Sequence, residues 1–183
     1  GPLRTSRALA MAHLAMYDAY IGVRGGPKYL SYTASETPGT NDLQAAQAAV
    51  AAAACLTLIE LYSRQKEAFL KKHHEFLLLL NGNDPKIAQG LAWGQLVANK
   101  LLAVRAGDGA EASNDLYTPS IEPGRHRPDP LNPTQGFLGP LWGKVMPFAI
   151  ADLHTKVPGM APPALSSPAY ANAYLAVKNK GRD

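Results

Sequence analysis

Charge is scarce in this sequence: only 17% of its 183 residues are Asp, Glu, Lys or Arg, and the formal net charge is +4. Apart from residues 64–72 and 125–127 the basic side chains are scattered, so the dense basic stripe with interleaved aromatics that nucleic acid requires is missing and no nucleic-acid partner is expected. Cysteine is scarcer still. Cys55 stands alone, which excludes an intrachain disulfide, and its alanine-rich surroundings suit a small buried thiol. Long apolar runs are also absent. The uncharged stretch of residues 43–59 is rich in alanine and carries two glutamines, short of the ~20 strongly apolar residues of a membrane span. No transmembrane segment is expected, and no basic start leads into the apolar core of a signal peptide.

The familiar catalytic signatures are lacking as well. There is no Gly-x-x-x-x-Gly-Lys-Ser/Thr loop, no His-Glu-x-x-His, no Gly-x-Ser-x-Gly and no paired-cysteine motif, which removes the usual phosphate-loop, zinc-protease and serine-hydrolase chemistries. No alternating apolar pattern of useful length appears either, so strands are not expected.

What is present reads as helix. Residues 4–21 carry Leu9, His13, Met16 and Tyr20 at spacings of three and four, ahead of Gly25-Gly26-Pro27. A second helix is expected from Asn41 or Asp42 to about Tyr62, with Gln44 completing a capping box from Asn41. Ser63 is expected to cap a third, ending at Asn81-Gly82, with a solvated start and a buried end at residues 76–80. Asp84-Pro85 opens a fourth that runs to about Ala106, with Gly90 and Gly94 on one face to admit a close neighbour. Between Gly107 and Pro168 lie 11 of the 15 prolines together with Tyr117, Phe137, Trp142 and Phe148, the composition of an ordered irregular wrap. Ser167-Pro168 then starts a last helix, ending at Gly181, with Tyr170, Tyr174 and Val177 on one side. The expectation is an all-α chain: an antiparallel helical bundle over residues 1–106, a Pro/Gly-rich wrap over 107–166 and a final helix over 167–183, together forming one amino-terminal helical region.

Five histidines are available for chemistry. His73 and His74 are neighbours on a helix, about 100° apart, and beside Lys71 and Lys72 they read as a solvated face. His13 reads as a hydrogen-bonded core histidine. His154, after Asp152, has no nucleophile or ligand set near it in sequence. Arg125-His126-Arg127, framed by Pro123-Gly124 and Pro128, is the suggestive cluster, because two guanidiniums and an imidazole on a restrained turn suit a phosphate, vanadate or carboxylate. The alternative is structural, with the arginines paired to acids such as Glu122 and Asp129. Catalytic residues and a metal site are assigned to none of these.

Several local patterns occur in an ordered series: Gly1-Pro2-x-Arg4-x-Ser6-Arg7-Ala8, Ala15-Met16-Tyr17-Asp18-Ala19, Gly90-x-Ala92-x-Gly94 with Val97-Ala98, Arg105-Ala106-Gly107-Asp108-Gly109, Tyr117-Thr118-Pro119, Pro123-Gly124-x-x-Arg127-Pro128 and Pro163-Ala164-Leu165-x-Ser167. Through them the whole chain resembles the amino-terminal half of vanadium-dependent haloperoxidase-like proteins of the type 2 phosphatidic acid phosphatase superfamily. The resemblance implies a two-bundle helical fold, with vanadate bound in the later half by a Lys…Arg segment, a Pro-Ser-Gly-His segment and an Arg…His segment. None of the three occurs here, and no Ser-Gly-His is present. The implied reading is therefore a scaffold half, with vanadate as cofactor of the complete enzyme only and a second polypeptide or carboxy-terminal half as partner. Arg125, His126 and Arg127 remain as anion or entrance contacts. Self-association is left open. So is whether the chain serves an enzyme or is a non-catalytic helical binding or assembly subunit on the same scaffold.

Overall fold

In the computed structural model, residues 1–80, 82, 84–113, 116–150 and 161–181 are described. Among them are five α-helices and no strand: α1 Pro2–Arg24, α2 Leu43–Leu61, α3 Lys66–Leu77, α4 Pro85–Arg105 and α5 Pro168–Lys180. Short 3-10 turns lie at Ser63–Gln65 and Trp142–Lys144. The chain divides into two compact units, Gly1–Ala110 and Glu111–Asp183.

Local chemistry explains most boundaries. Asp42, in extended conformation, accepts from the Ala45 amide at 3.0 Å and starts α2; Asn41 does not cap, because the Ala45 and Ala46 amides go to the carboxylate and carbonyl of Asp42, and the Asn41 carbonyl takes a hydrogen bond from Arg24 at the end of α1. Asp84 and Ser167 cap α4 and α5 through the amides of Lys86 and Tyr170, each with proline following. Ser63 caps nothing and opens a 3-10 turn, which shortens α3 at its start. Its other end also differs from expectation: α3 stops at Leu77, and Leu78 and Leu79 are 70% and 78% exposed rather than buried. Asn81 lies outside the described residues.

The first unit is built on a three-helix core of α1, α2 and α4. Its small residues set the spacing. A Cβ on Gly90 would overlap the Ala45 carbonyl and one on Gly94 that of Ala49, so the backbones of α2 and α4 meet directly along a seam of fully buried alanines. The pairing of 90 with 45 and of 94 with 49 shows that α2 and α4 run parallel. Their parallel course follows from α3, which packs on α2 and carries the chain back to the starting end. α1 runs opposite to both: its end meets Asn41 through Arg24, and its start meets Arg105 through Arg7. Trp93 fills the space between α1 and α4, donating its indole N–H to the Ala19 carbonyl at 3.0 Å. By length and composition α2 would pass as a membrane span, with mean hydropathy 1.4. Its central place between α1 and α4 accounts for that apolar character.

The inward face of α1 is Ala8, Met11, Ala12, Ala15, Asp18, Ala19 and Val23. The stripe expected to face the core does not: Leu9 and Tyr20 are exposed, Met16 is only partly buried, and His13 is exposed, with its Nδ1 2.8 Å from the Leu9 carbonyl oxygen; neighbouring Tyr17 is exposed as well. Small residues won the interior because close helix approach leaves no volume for the large ones. In the second unit no described residue is buried, and the apolar side of α5 is open, with Tyr174 and Val177 58% and 73% exposed.

Candidate functional site

Three groups of polar side chains hold the molecule's chemistry. The first is the predicted Arg125-His126-Arg127 turn. Gly124 adopts φ +76, a conformation suited to glycine, and the Arg125 amide closes the turn onto the Glu122 carbonyl. His126 lies against Phe137 with ring centres 4.3 Å apart, and its Nδ1 is 3.1 Å from the Tyr117 hydroxyl. Tyr117 and Phe137 meet edge to face at 5.2 Å, so the three rings form one cluster. Beside it His126, Arg127, Asp129, Gln135 and Phe137 line an open cleft of about 400 Å³. Both arginines are exposed. The expected pairing with Glu122 and Asp129 is not found among the described residues. Asp129 is engaged by the Leu131 amide and by Asn132, whose hydrogen bonds hold its carboxyl below the usual range.

The second group, whose Arg7, Arg105 and Asp108 fall in two of the patterns that carry the family resemblance, was not read as a site from sequence. Asp108, buried, accepts from Arg7 Nε at 2.8 Å and from the Ala110 amide at 3.0 Å, and lies 2.6 Å from the guanidinium of buried Arg105. Arg7 also donates to the Arg105 carbonyl. Burial works against ionisation of Asp108, but the bonds from Arg7 and Ala110 and the two arginine charges outweigh it and hold the carboxyl below its usual range. Arg105-x-x-Asp108 and distant Arg7 gave no spacing signal of their own, since the pair closes across about a hundred residues. The arrangement fastens the start of α1 to the end of α4 and offers no open position to a ligand.

The third group centres on Asp18, also buried. It accepts from the amides of Tyr29 and Leu30 and from the Tyr32 hydroxyl at 3.0 Å. Tyr32 packs edge to face on Trp93 at 4.8 Å and lies under Lys100, which pairs with Glu36. Burial and then the Asp18 charge push the Tyr32 phenol well above its ordinary range, so it is a structural donor. The Thr33 amide, with Lys100 second, lowers the Glu36 carboxyl. The Tyr29 amide and Tyr32 hydroxyl on Asp18, together with the Tyr17 hydroxyl, which donates to the Pro27 carbonyl at 2.7 Å, thus order the loop after α1.

The remaining histidines separate. His74 is exposed as expected, but His73 is not part of a solvated face: it turns toward α2 and lines a cleft with Cys55, Phe69 and Phe76. His154 and Asp152 lie outside the described residues. No group of three or more His, Cys, Asp or Glu side chains among the described residues is placed to hold a metal ion.

A multiply charged oxyanion needs converging cations and backbone donors. Among the described residues the inner cations of the first unit are engaged elsewhere: Arg7 and Arg105 together on Asp108, Lys100 on Glu36, Arg24 on a carbonyl. The open pair Arg125 and Arg127 stands on an exposed turn. These residues do not make a vanadate site.

Residues 1–138 match the family model described as the vanadium chloroperoxidase N-terminal domain. Searches of curated proteins and of solved structures gave no match.

Proposed function

This chain belongs to the vanadium chloroperoxidase N-terminal domain family, and on that footing we propose that it is the amino-terminal scaffold half of a vanadium-dependent haloperoxidase-like protein. Peroxide-dependent halide oxidation then requires a second half, on the same or another polypeptide, that supplies the vanadate ligands. The observation that carries this reading is the match over residues 1–138 combined with a core whose charged groups are spent on fastening helices. Exposed Leu9, Tyr17 and Tyr20 on α1 supply apolar surface of the kind a second half would cover. Since the described residues do not fit vanadate, no catalytic step is assigned to them.

Within this reading Arg125, His126 and Arg127 are entrance contacts. Two exposed guanidiniums without a carboxylate partner among the described residues raise the local concentration of halide or oxyanion, an effect that salt screens.

The test is halide oxidation with hydrogen peroxide and added vanadate. The isolated chain is expected to give no vanadate-dependent turnover, and addition of a polypeptide carrying a Ser-Gly-His segment is expected to restore it. Vanadate-dependent turnover by the isolated chain would overturn the proposal. The absence of a vanadate site among the described residues also supports a second reading, a non-catalytic helical binding or assembly subunit. Native mass and intact mass of the purified material separate the two. A companion polypeptide bearing the ligands favours the enzyme half, whereas a self-associated or unrelated assembly without turnover favours the subunit. Hydrolysis of phosphate esters in place of halide oxidation would mark a phosphatase-like activity of the superfamily.

A further inference from the structure

α3 is the least embedded helix of the first unit. It has no buried residue, and α2 is the one helix it packs against among the described residues. Its docking face is Phe69, His73 and Phe76, at spacings of four and three, set over Ala54, Cys55 and Leu58 of α2. The two faces do not close fully and leave a cleft of about 190 Å³. In the middle of this contact His73 Nε2 is sealed from solvent and has no hydrogen-bond partner among the described residues.

The charged neighbours offer that nitrogen no help. On α3 the nearest in sequence are Lys71, Lys72 and His74, and the carboxylate of Glu75 is held outward by Lys72 at 2.8 Å. The titratable group that α2 turns into the cleft is Cys55, whose thiol burial pushes up and keeps neutral. A proton on His73 would thus put a charge into an apolar contact with no acceptor, a situation that favours separation of the two surfaces.

We propose that α3 is an acid-released flap: protonation of His73 frees it from α2, uncovering the apolar cleft and the thiol of Cys55 while the α1–α2–α4 core stays folded. The sign follows from linkage. Burial, and then the neighbouring His74, lower the docked imidazole's affinity for a proton below the ordinary value of 6.5. Docking is therefore fully favoured above 6.5 and is lost progressively as pH falls below it, with one proton taken up on release.

Cys55 is the sole cysteine and reports the event directly. Its rate of modification by a disulfide reagent active across the acidic range is measured on the full chain. Dividing by the rate for a small free thiol at each pH removes the change in thiolate fraction. The normalised rate is expected to rise at least ~10-fold between about pH 7.5 and pH 5, never steeper than tenfold per pH unit, as one proton dictates. His73→Phe is expected to abolish the rise, and His74→Gln to retain it. Amide exchange over Ala45, Ala49 and Ala53 is followed in the same samples and is expected to stay slow. A flat wild-type profile, an equal rise in His73→Phe, or loss of protection in those core amides together with thiol exposure would each overturn the proposal.

Discussion

A few residues hold this molecule in place through polar atoms kept from water, and their replacement has sharp consequences. Asp108 neutralises Arg7 and Arg105 at once. Asp108→Asn keeps the shape but removes the negative charge that two guanidiniums share, and is expected to destabilise the fold by about 3 kcal/mol, read as a shift in the urea midpoint at neutral pH. Because the Asp108 carboxyl is held below its ordinary 3.8, its contribution is complete above 3.8 and declines as pH falls through the lowered value. The gap between wild type and Asp108→Asn should therefore close in acid. Asp18 organises a loop. Asp18→Asn cannot accept from both amides and the Tyr32 hydroxyl together, and is expected to cost about 2 kcal/mol and to bring fast exchange to the Tyr29 and Leu30 amides while α4 stays protected. Neither carboxylate was legible as an anchor in the sequence, because the partners of Asp18 lie 11 to 14 positions away and Asp108, beside its near neighbours Arg105 and Ala110, takes Arg7 from 101 positions away.

Helix ends and the glycine face were legible, since a cap or a close approach is written in a few adjacent or evenly spaced residues. Asp84-Pro85 and Ser167-Pro168 start helices where their chemistry places them, and Gly90 and Gly94 lie on the contact with α2. The inward face of α1 was not legible. In a bundle spaced by alanine, the bulky Leu9 and Tyr20 are the residues expelled, which inverts the usual rule that larger apolar side chains mark the core. The Arg125-His126-Arg127 turn was found by composition, whereas its ring partners Tyr117 and Phe137 come from flanking positions that only the fold brings to it. Gly94→Ala tests the seam directly. Alanine is the better helix former by about 1 kcal/mol, yet its methyl would meet the Ala49 backbone, so a net loss of at least ~2 kcal/mol is expected on thermal unfolding. Gly39→Ala, with open space around it, is expected to stay within about 0.5 kcal/mol of wild type.

At the scale of the whole molecule, the buried residues among those described all lie in Gly1–Ala110. A polypeptide ending at Ala110 should for that reason keep a cooperative thermal transition and strong helical circular dichroism; a non-cooperative melt would show that burial within the first unit does not suffice. The entrance role proposed for Arg125 and Arg127 is testable only with the proposed second half in place. There Arg125→Gln with Arg127→Gln is expected to lower kcat/KM for halide severalfold at low ionic strength and to matter little in high salt. The α2–α4 seam has one more implication. Alanine and glycine possess no rotamers to freeze, so this joint forms without side-chain ordering and has none to recover on warming. The distance between the two helix axes should accordingly hardly drift with temperature, making the pair a stiff spar against which the softer parts of the protein move.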